Sequence, residues 1–177
     1  MEQKVNPWKT NLTNGLILGL VGVVYSLLMY FLGLSLNKTQ GYVFMIIQIA
    51  LLYFLLKSYR DNYMHGQITF GQSVGASVII CLYYAVIMAV FTYILYTFID
   101  TGLTAKQMAL AEETLVKKGM PQATIDTAMS MQAKFMKPGI MAIFVIFGSM
   151  LWGVILSLII SIFVKKEGNP LIDTPVN

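Results

Sequence analysis

Charged side chains are scarce in this chain of 177 residues, because aspartate, glutamate, lysine and arginine together make up only 11% of it. Soluble domains usually contain about 25% charged residues. At the same time 57% of the residues are hydrophobic, and the mean hydropathy is +0.71. A water-soluble protein of this length could not bury so much apolar surface. The composition therefore excludes an ordinary soluble domain and predicts an integral membrane protein.

Cysteine and histidine each occur once, as Cys81 and His65. A single cysteine excludes an intramolecular disulfide, and a lone histidine cannot assemble a multi-histidine zinc site. Glu112 and Glu113 are adjacent, so they point to different faces of a helix and do not form a carboxylate pair. We therefore expect no catalytic residue, no metal and no cofactor, and the sequence favours a protein that is not an enzyme.

A compact basic stripe is also missing, although the formal net charge is +4. The lysines and arginines instead stand at the ends of apolar runs, where they can anchor to anionic lipid headgroups. This pattern excludes nucleic acid as a partner and predicts contact with membrane lipids.

Four apolar stretches predict four transmembrane helices within a single domain of residues 1–177, at about residues 15–36, 41–57, 70–99 and 138–164. The first stretch corresponds to about 33 Å of helix, enough for a hydrocarbon core of about 30 Å. Between the third and fourth spans, residues 104–137 carry apolar side chains at helical spacing. There Thr104 and Gln107 predict a capping box, and Gly119 predicts a helix end. The predicted fold class is thus all-α, an integral membrane four-helix bundle with an amphipathic helical hairpin after the third span.

Small residues recur at a spacing of four in three of the predicted spans. They are Gly15 and Gly19 in the first span, Gly71 and Gly75 in the third, and Ser149, Gly153, Ser157 and Ser161 in the fourth. Both glycine pairs follow a threonine, as Thr-x-Gly-x-x-x-Gly, which suggests an internal repeat. Small side chains let helix backbones approach closely. These residues either pack the bundle internally or form a face that binds a second copy or another membrane protein.

Polar side chains deep within the predicted spans are rare. Gln48 is the only amide well inside a span, and we expect it to be buried and to pair with a serine or tyrosine hydroxyl on a neighbouring helix. No aspartate, glutamate, lysine, arginine or histidine lies at mid-depth, which argues against ion-coupled transport because such proteins place these groups there. Tyr83 and Tyr84 lie deep in the third span and could line a groove for a lipid or a quinone.

Several segments resemble a known bacterial membrane family, domain of unknown function 4199. They are Asn14–Gly19, Ile68–Gln72, Phe98–Asp100, Met131–Gly139 and the Lys165-Lys166 pair, and together they cover nearly the whole chain in order. The resemblance implies a four-span protein of the inner membrane of Gram-negative bacteria. It implies no activity and no catalytic residue. It also implies a gene neighbourhood with a polyprenol-phosphate glycosyltransferase, to which the chain could be accessory.

The leading functional hypothesis is a non-enzymatic accessory or scaffolding subunit that binds another inner-membrane protein or itself. One alternative is a small lipid- or quinone-binding carrier that uses Tyr83 and Tyr84. Another is a membrane enzyme acting on a lipid-linked substrate through Arg60, Asp61 and His65. The basic residues that flank the second and fourth spans favour an orientation with both termini on the cytoplasmic side.

Overall fold

The computed structural model describes residues 6–167 and shows six α-helices. Their bounds are α1 Pro7–Phe31, α2 Lys38–Tyr63, α3 Phe70–Ile94, α4 Leu103–Lys117, α5 Gln122–Phe135 and α6 Pro138–Val164. Helix α3 continues directly into one π-helical turn, Leu95–Ile99. No β-strand is formed within the described residues; a single isolated bridge joins Ile68 and Lys166. The prediction of an all-α fold is confirmed.

Four of these helices are long and apolar enough to cross a membrane. They are α1 with 25 residues, α2 with 26, α3 with its π-helical turn, 30 in all, and α6 with 27. At about 1.5 Å per residue each is longer than a hydrocarbon core of about 30 Å. The chain is therefore a multi-pass membrane protein. Helix α1 begins at Pro7, eight residues before the predicted first span, because Asn6 caps it and proline suits its first position.

Helix α3 is the centre of the bundle. It packs most extensively against α6 and next against α1, whereas α2 makes sparser contacts with all three of these helices. The main core joins apolar side chains from all four long helices, among them Leu18, Leu52, Ile80 and Leu156, each no more than 2% exposed. Many other large apolar side chains stay exposed, such as Phe147 and Leu151 on α6. Such exposure suits a surface that faces lipid.

Two helix ends are closed by glycines in the left-handed region. At the end of α4, the N–H of Gly119 donates to Val116 and that of Met120 donates to Leu115, with Gly119 at φ +68°. This is a Schellman motif, which only a residue tolerant of positive φ completes without strain. Gly33 closes α1 with the same pair of bonds. The prediction of a helix end at Gly119 is confirmed. Near this end, Glu113 and Lys117 of α4 form an ion pair at 2.6 Å.

The capping box predicted at Thr104 and Gln107 is wrong. The residue that precedes the first turn of α4 is Gly102, two residues before Thr104, and no side chain caps the helix. The Asp100 carboxylate already accepts the N–H of Gly102 at 3.0 Å, so the turn before the helix is fixed without Thr104. The capping box of this chain lies instead at the start of α3, where Thr69 and Gln72 bond each other's backbone N–H groups.

Candidate functional site

The first glycine pair lies in the contact between α1 and α3. A Cβ added at Gly15 would come within 3.0 Å of the Cβ, Cγ and Cδ2 atoms of Tyr83, and one added at Gly19 would come equally close to Ile87. The Tyr83 hydroxyl also donates to the carbonyl of Trp8 at 3.3 Å. The absence of side chains at these glycines therefore lets α1 lie close against α3.

The small residues of α6 lie in its contact with α3. A Cβ added at Gly153 would be 2.7 Å from the Cβ of Cys81. The Ser157 hydroxyl donates to the carbonyl of Gly153 at 2.6 Å, and Ser157 and Ser161 are both fully buried. Ser149, one turn before Gly153, is only partly buried. For Gly153, Ser157 and Ser161 the structure thus favours internal packing over a face that binds another protein.

Helix α3 brings its own small residues to this contact, which the sequence reading missed. Ser73, Ser77 and Cys81 recur every four residues, and each is no more than 1% exposed. The hydroxyls of Ser73, Ser77 and Ser161 have no hydrogen-bond partner within residues 6–167. Because α3 and α6 are antiparallel, the two rows of small side chains run past each other along the contact. The spacing was visible in the sequence, since Ser-x-x-x-Ser-x-x-x-Cys matches Gly-x-x-x-Ser-x-x-x-Ser.

The second glycine pair has a different environment. Gly71 and Gly75 are exposed, and no atom of another part of residues 6–167 lies within 4 Å of a Cβ added at either position. The suggested repeat also fails structurally. Thr69 caps α3, whereas Thr13 lies inside α1, six residues after its first residue, Pro7. The two glycine pairs share a pattern but occupy different positions in their helices.

A serine motif also went unnoticed in the sequence. Residues 71–75 read Gly-Gln-Ser-Val-Gly, which matches the G-x-S-x-G pattern of a nucleophile elbow. That motif requires an exposed serine on a turn between a strand and a helix. Here Ser73 lies within the first turn of α3 and is fully buried. The structural context that would make this serine a nucleophile is missing.

The last turn of α2, which the sequence suggested would be a loop, holds the end of α6 in place. The Arg60 guanidinium bonds the Asp61 carboxylate at 2.7 Å and the carbonyl of Val164 at 3.0 Å. Val164 is the last residue of α6, so the cation satisfies one of the free carbonyls of that helix end. His65 is exposed at φ 52°. Within residues 6–167 no three histidine, cysteine, aspartate or glutamate side chains lie close enough to hold a metal ion.

A second polar cluster joins the helical hairpin of α4 and α5 to the bundle. Asp100 accepts the Tyr30 hydroxyl of α1 at 3.4 Å and the Lys106 ammonium of α4 at 2.9 Å. Gln107 donates to the hydroxyl of Tyr96 on the π-helical turn. The hydrogen bond from Lys106 lowers the pKa of the Asp100 carboxyl from its ordinary value, and the same bond raises the pKa of Lys106. These bonds fix where the hairpin leaves the membrane-spanning part.

A cavity of about 420 Å³, largely open to the outside, lies along α2 where Trp152 of α6 approaches it. It is lined by Gln48, Phe44, Tyr42, Trp152, Lys38, Gly41 and Met45. Gln48 is buried, at 4% exposure. The prediction that its amide pairs with a hydroxyl on a neighbouring helix is wrong, since within residues 6–167 the amide has no hydrogen-bond partner. The sparse packing of α2 leaves the amide facing this cavity.

The comparisons identify the family and nothing narrower. No curated protein and no solved structure matches the chain. One family profile, described as protein of unknown function (DUF4199), matches residues 13–166. That match spans all four long helices and the hairpin, and it agrees with the resemblance found in the sequence. The chain therefore belongs to the DUF4199 family.

Proposed function

We propose that this protein is a non-enzymatic accessory or scaffolding subunit of the bacterial inner membrane, and that it binds a transmembrane helix through Gly71 and Gly75. The observation that carries the proposal is the open space at this pair. The other small residues that face a neighbouring helix, at Gly15, Gly19 and Gly153, are occupied by Tyr83, Ile87 and Cys81 of the chain itself.

The chemistry of an exposed glycine pair suits a helix as its partner. Two helices with small residues at a spacing of four can bring their backbones together, and packing in lipid depends on such close approach. A second copy of this chain presents the same pair in the same orientation, so a two-fold axis along the membrane normal would bring the two pairs together. A different membrane protein, such as the polyprenol-phosphate glycosyltransferase that the resemblance implies, needs only one complementary helix.

The alternatives have weaker support. A carrier groove at Tyr83 and Tyr84 is disfavoured because both rings are already packed within the chain. The Tyr83 ring covers Gly15, and the Tyr84 ring stacks on that of Phe44 with 6.2 Å between the ring centroids. An enzyme using Arg60, Asp61 and His65 is disfavoured because Arg60 already holds the end of α6. Neither the two tyrosines nor the Arg60, Asp61 and His65 group places unengaged reactive side chains around a space large enough for a substrate.

The proposed location follows from the family resemblance, and the proposed orientation rests on the distribution of lysine and arginine. Lys57, Arg60, Lys165 and Lys166 surround the ends of α2 and α6 on the same side of the bundle. Positive residues that directly flank spans favour the cytoplasmic side, whereas those in long connections count for less. The lysines of the hairpin belong to such a long connection. We therefore propose that both termini face the cytoplasm and that the hairpin lies on the opposite side.

The test replaces Gly71 and Gly75 together by isoleucine. The protein is extracted from its native membranes in a mild detergent, and its native mass and copurifying proteins are measured. Branched side chains at both positions should block close helix approach, so the assembly should dissociate to single chains. A homodimer in the unaltered protein identifies a second copy as partner, and a stoichiometric second protein identifies a hetero-complex.

A matched control replaces Gly139 and Gly148 of α6 by isoleucine. These two glycines are also helical and also have no atom of a neighbouring element within 4 Å of an added Cβ. The control should keep the native mass and partners of the unaltered protein. The proposal is refuted if the unaltered protein is a single chain without partners, or if both double variants affect the assembly equally.

A further inference from the structure

The cavity between α2 and α6 has the composition of a small-molecule site. Its volume of about 420 Å³ falls within the range of about 300–1,000 Å³ typical of ligand pockets. Its walls are mainly apolar and aromatic, with Phe44 and Tyr42 on α2 and Trp152 on α6. The residues with polar side chains that line it are Gln48, Lys38 and Tyr42. Ligand pockets commonly combine apolar walls with few polar groups that fix orientation.

The Gln48 amide is the observation that points to a ligand. Its side chain is 4% exposed, yet it has no hydrogen-bond partner among the described residues. The amide atoms are not among the fully buried, unpartnered polar atoms of residues 6–167, so they reach the surface of the cavity. An amide without a partner costs free energy, and in lipid it cannot recover the bond from solvent. A ligand atom that accepts or donates a hydrogen bond at this point would remove that cost. Packing alone would be served better by leucine at this position.

The depth of Gln48 restricts the chemistry of that ligand. Gln48 lies ten residues after Lys38, the first residue of α2, which places it about 15 Å further along the helix axis. Phosphates and glycerol esters of membrane lipids stay near the headgroups, at the level of Lys38. The ligand's polar atom must therefore lie within the hydrocarbon core. A flat ring that carries carbonyl oxygens and dissolves in lipid meets this requirement.

The rim shows how such a molecule would reach the amide. Tyr42 is 67% exposed and Trp152 is 38% exposed, so the cavity opens on the outer surface of the bundle. That surface faces the acyl chains. A ring could enter sideways between Tyr42 and Trp152, while a long apolar tail stayed in the bilayer.

We propose that this cavity binds an isoprenoid quinone, with a ring carbonyl accepting a hydrogen bond from the Gln48 amide and the ring lying between Phe44 and Trp152. The site is separate from Gly71 and Gly75, so it stands or falls independently of the proposed role as a subunit. The proposal concerns binding and assigns no electron transfer to the protein.

Trp152 itself can report the binding, because the chain contains only two tryptophans. In a Trp8→Phe variant, the fluorescence of Trp152 is followed while a decyl-tailed benzoquinone is added to the protein in lipid nanodiscs. Binding should quench the fluorescence to a plateau. In Trp8→Phe/Gln48→Leu, the concentration at half-quenching should rise at least about tenfold, because the amide hydrogen bond is lost. Trp8→Phe/Gln122→Leu, which removes an amide on α5 outside the cavity, should behave like Trp8→Phe.

Two further measurements make the outcome decisive. In a Trp152→Phe variant, Trp8 should show only the linear quenching that comes from quinone dissolved in the bilayer. Decylbenzene, which has the same tail but no carbonyl, should fail to displace the quinone from the Trp8→Phe protein, and this arm does not depend on the Gln48 variant folding. Linear quenching of Trp152, a Gln48 variant with unchanged half-quenching, or displacement by decylbenzene would each overturn the proposal.

Discussion

Replacing Gly153 by alanine tests the contact between α3 and α6 directly. The added Cβ would lie 2.7 Å from the Cβ of Cys81, about 0.7 Å short of the 3.4 Å at which ordinary van der Waals contact begins. The Cys81 Cβ is bonded to the backbone, so it cannot rotate away and the helices must separate. Overpacking of this kind costs about 1–3 kcal/mol.

A second variant, Gly148→Ala, isolates that cost. Gly148 lies on the same helix, and an added Cβ there meets no atom of another element within 4 Å. Both variants gain the same helix propensity, about 1 kcal/mol, so this gain cancels in the comparison. Gly153→Ala should therefore be less stable than Gly148→Ala by about 1–3 kcal/mol, a factor of about 5–150 in the unfolding equilibrium.

The assay is a titration with sodium dodecyl sulfate in mixed micelles, in which far-UV circular dichroism follows unfolding. Cys81→Gly removes the opposing Cβ. In the double variant Cys81→Gly/Gly153→Ala the clash is absent, so the loss of stability should be smaller than the sum of the losses in the two single variants. Equal stability of Gly153→Ala and Gly148→Ala would refute the reasoning. The reasoning would also be refuted if the changes in unfolding free energy of Cys81→Gly and Gly153→Ala simply added in the double variant, because a clash between the two positions predicts that they do not.

Three further predictions concern the hairpin and the bundle interior. Gly119→Ala should destabilise the turn between α4 and α5 by about 1–2 kcal/mol, because φ there is +68°, and hydrogen exchange should show lower protection in residues 115–120. Protection at the start of α4 should stay constant near neutral pH. Protection should fall in acid once Asp100, whose folded-state pKa is lowered, is protonated. It should also fall in base once Lys106, whose folded-state pKa is raised, loses its proton. Constant protection down to pH 2 would contradict this prediction. Cys81, the single cysteine, is buried, so it should resist a maleimide in mild detergent and react in dodecyl sulfate; rapid labelling in both would contradict the α3–α6 contact.

The spans and the hairpin could be predicted because they depend on local properties. Apolar runs without charge are long enough to cross lipid, and helical spacing between Asp100 and Pro138 is visible residue by residue. The Gly119 turn could be predicted for the same reason, since its requirement for positive φ belongs to one residue. The family resemblance added the expectation of four spans, which the helices of the structure match.

The partners of the small residues could not be predicted, because they depend on how helices are shifted along one another. Gly15 meets Tyr83 while Gly71 meets nothing in the described chain, although both begin the same Gly-x-x-x-Gly pattern. The two Thr-x-x-Gln patterns diverge for a similar reason. At Thr69 the helix start is free to use the side chain, whereas at Thr104 the neighbouring Asp100 has already made the turn.

The unpaired state of Gln48 also lay beyond sequence reasoning. An amide inside a span is expected to find a hydroxyl, because lipid offers no other partner. That expectation assumes that the helix carrying it is tightly packed on all sides. Helix α2 contacts its neighbours only sparsely, and this follows from the shapes of all four helices together.

The place of α6 in the chain has a consequence for biosynthesis. Its contact with α3 is the largest in the bundle, yet among the helices of residues 6–167 it is the one synthesised after all the others. Until then Ser73 and Ser77 of α3 face either lipid or whatever protein receives the nascent chain. An intermediate made of α1 to α3 therefore leaves these two hydroxyls, which are buried in the complete bundle, uncovered during insertion.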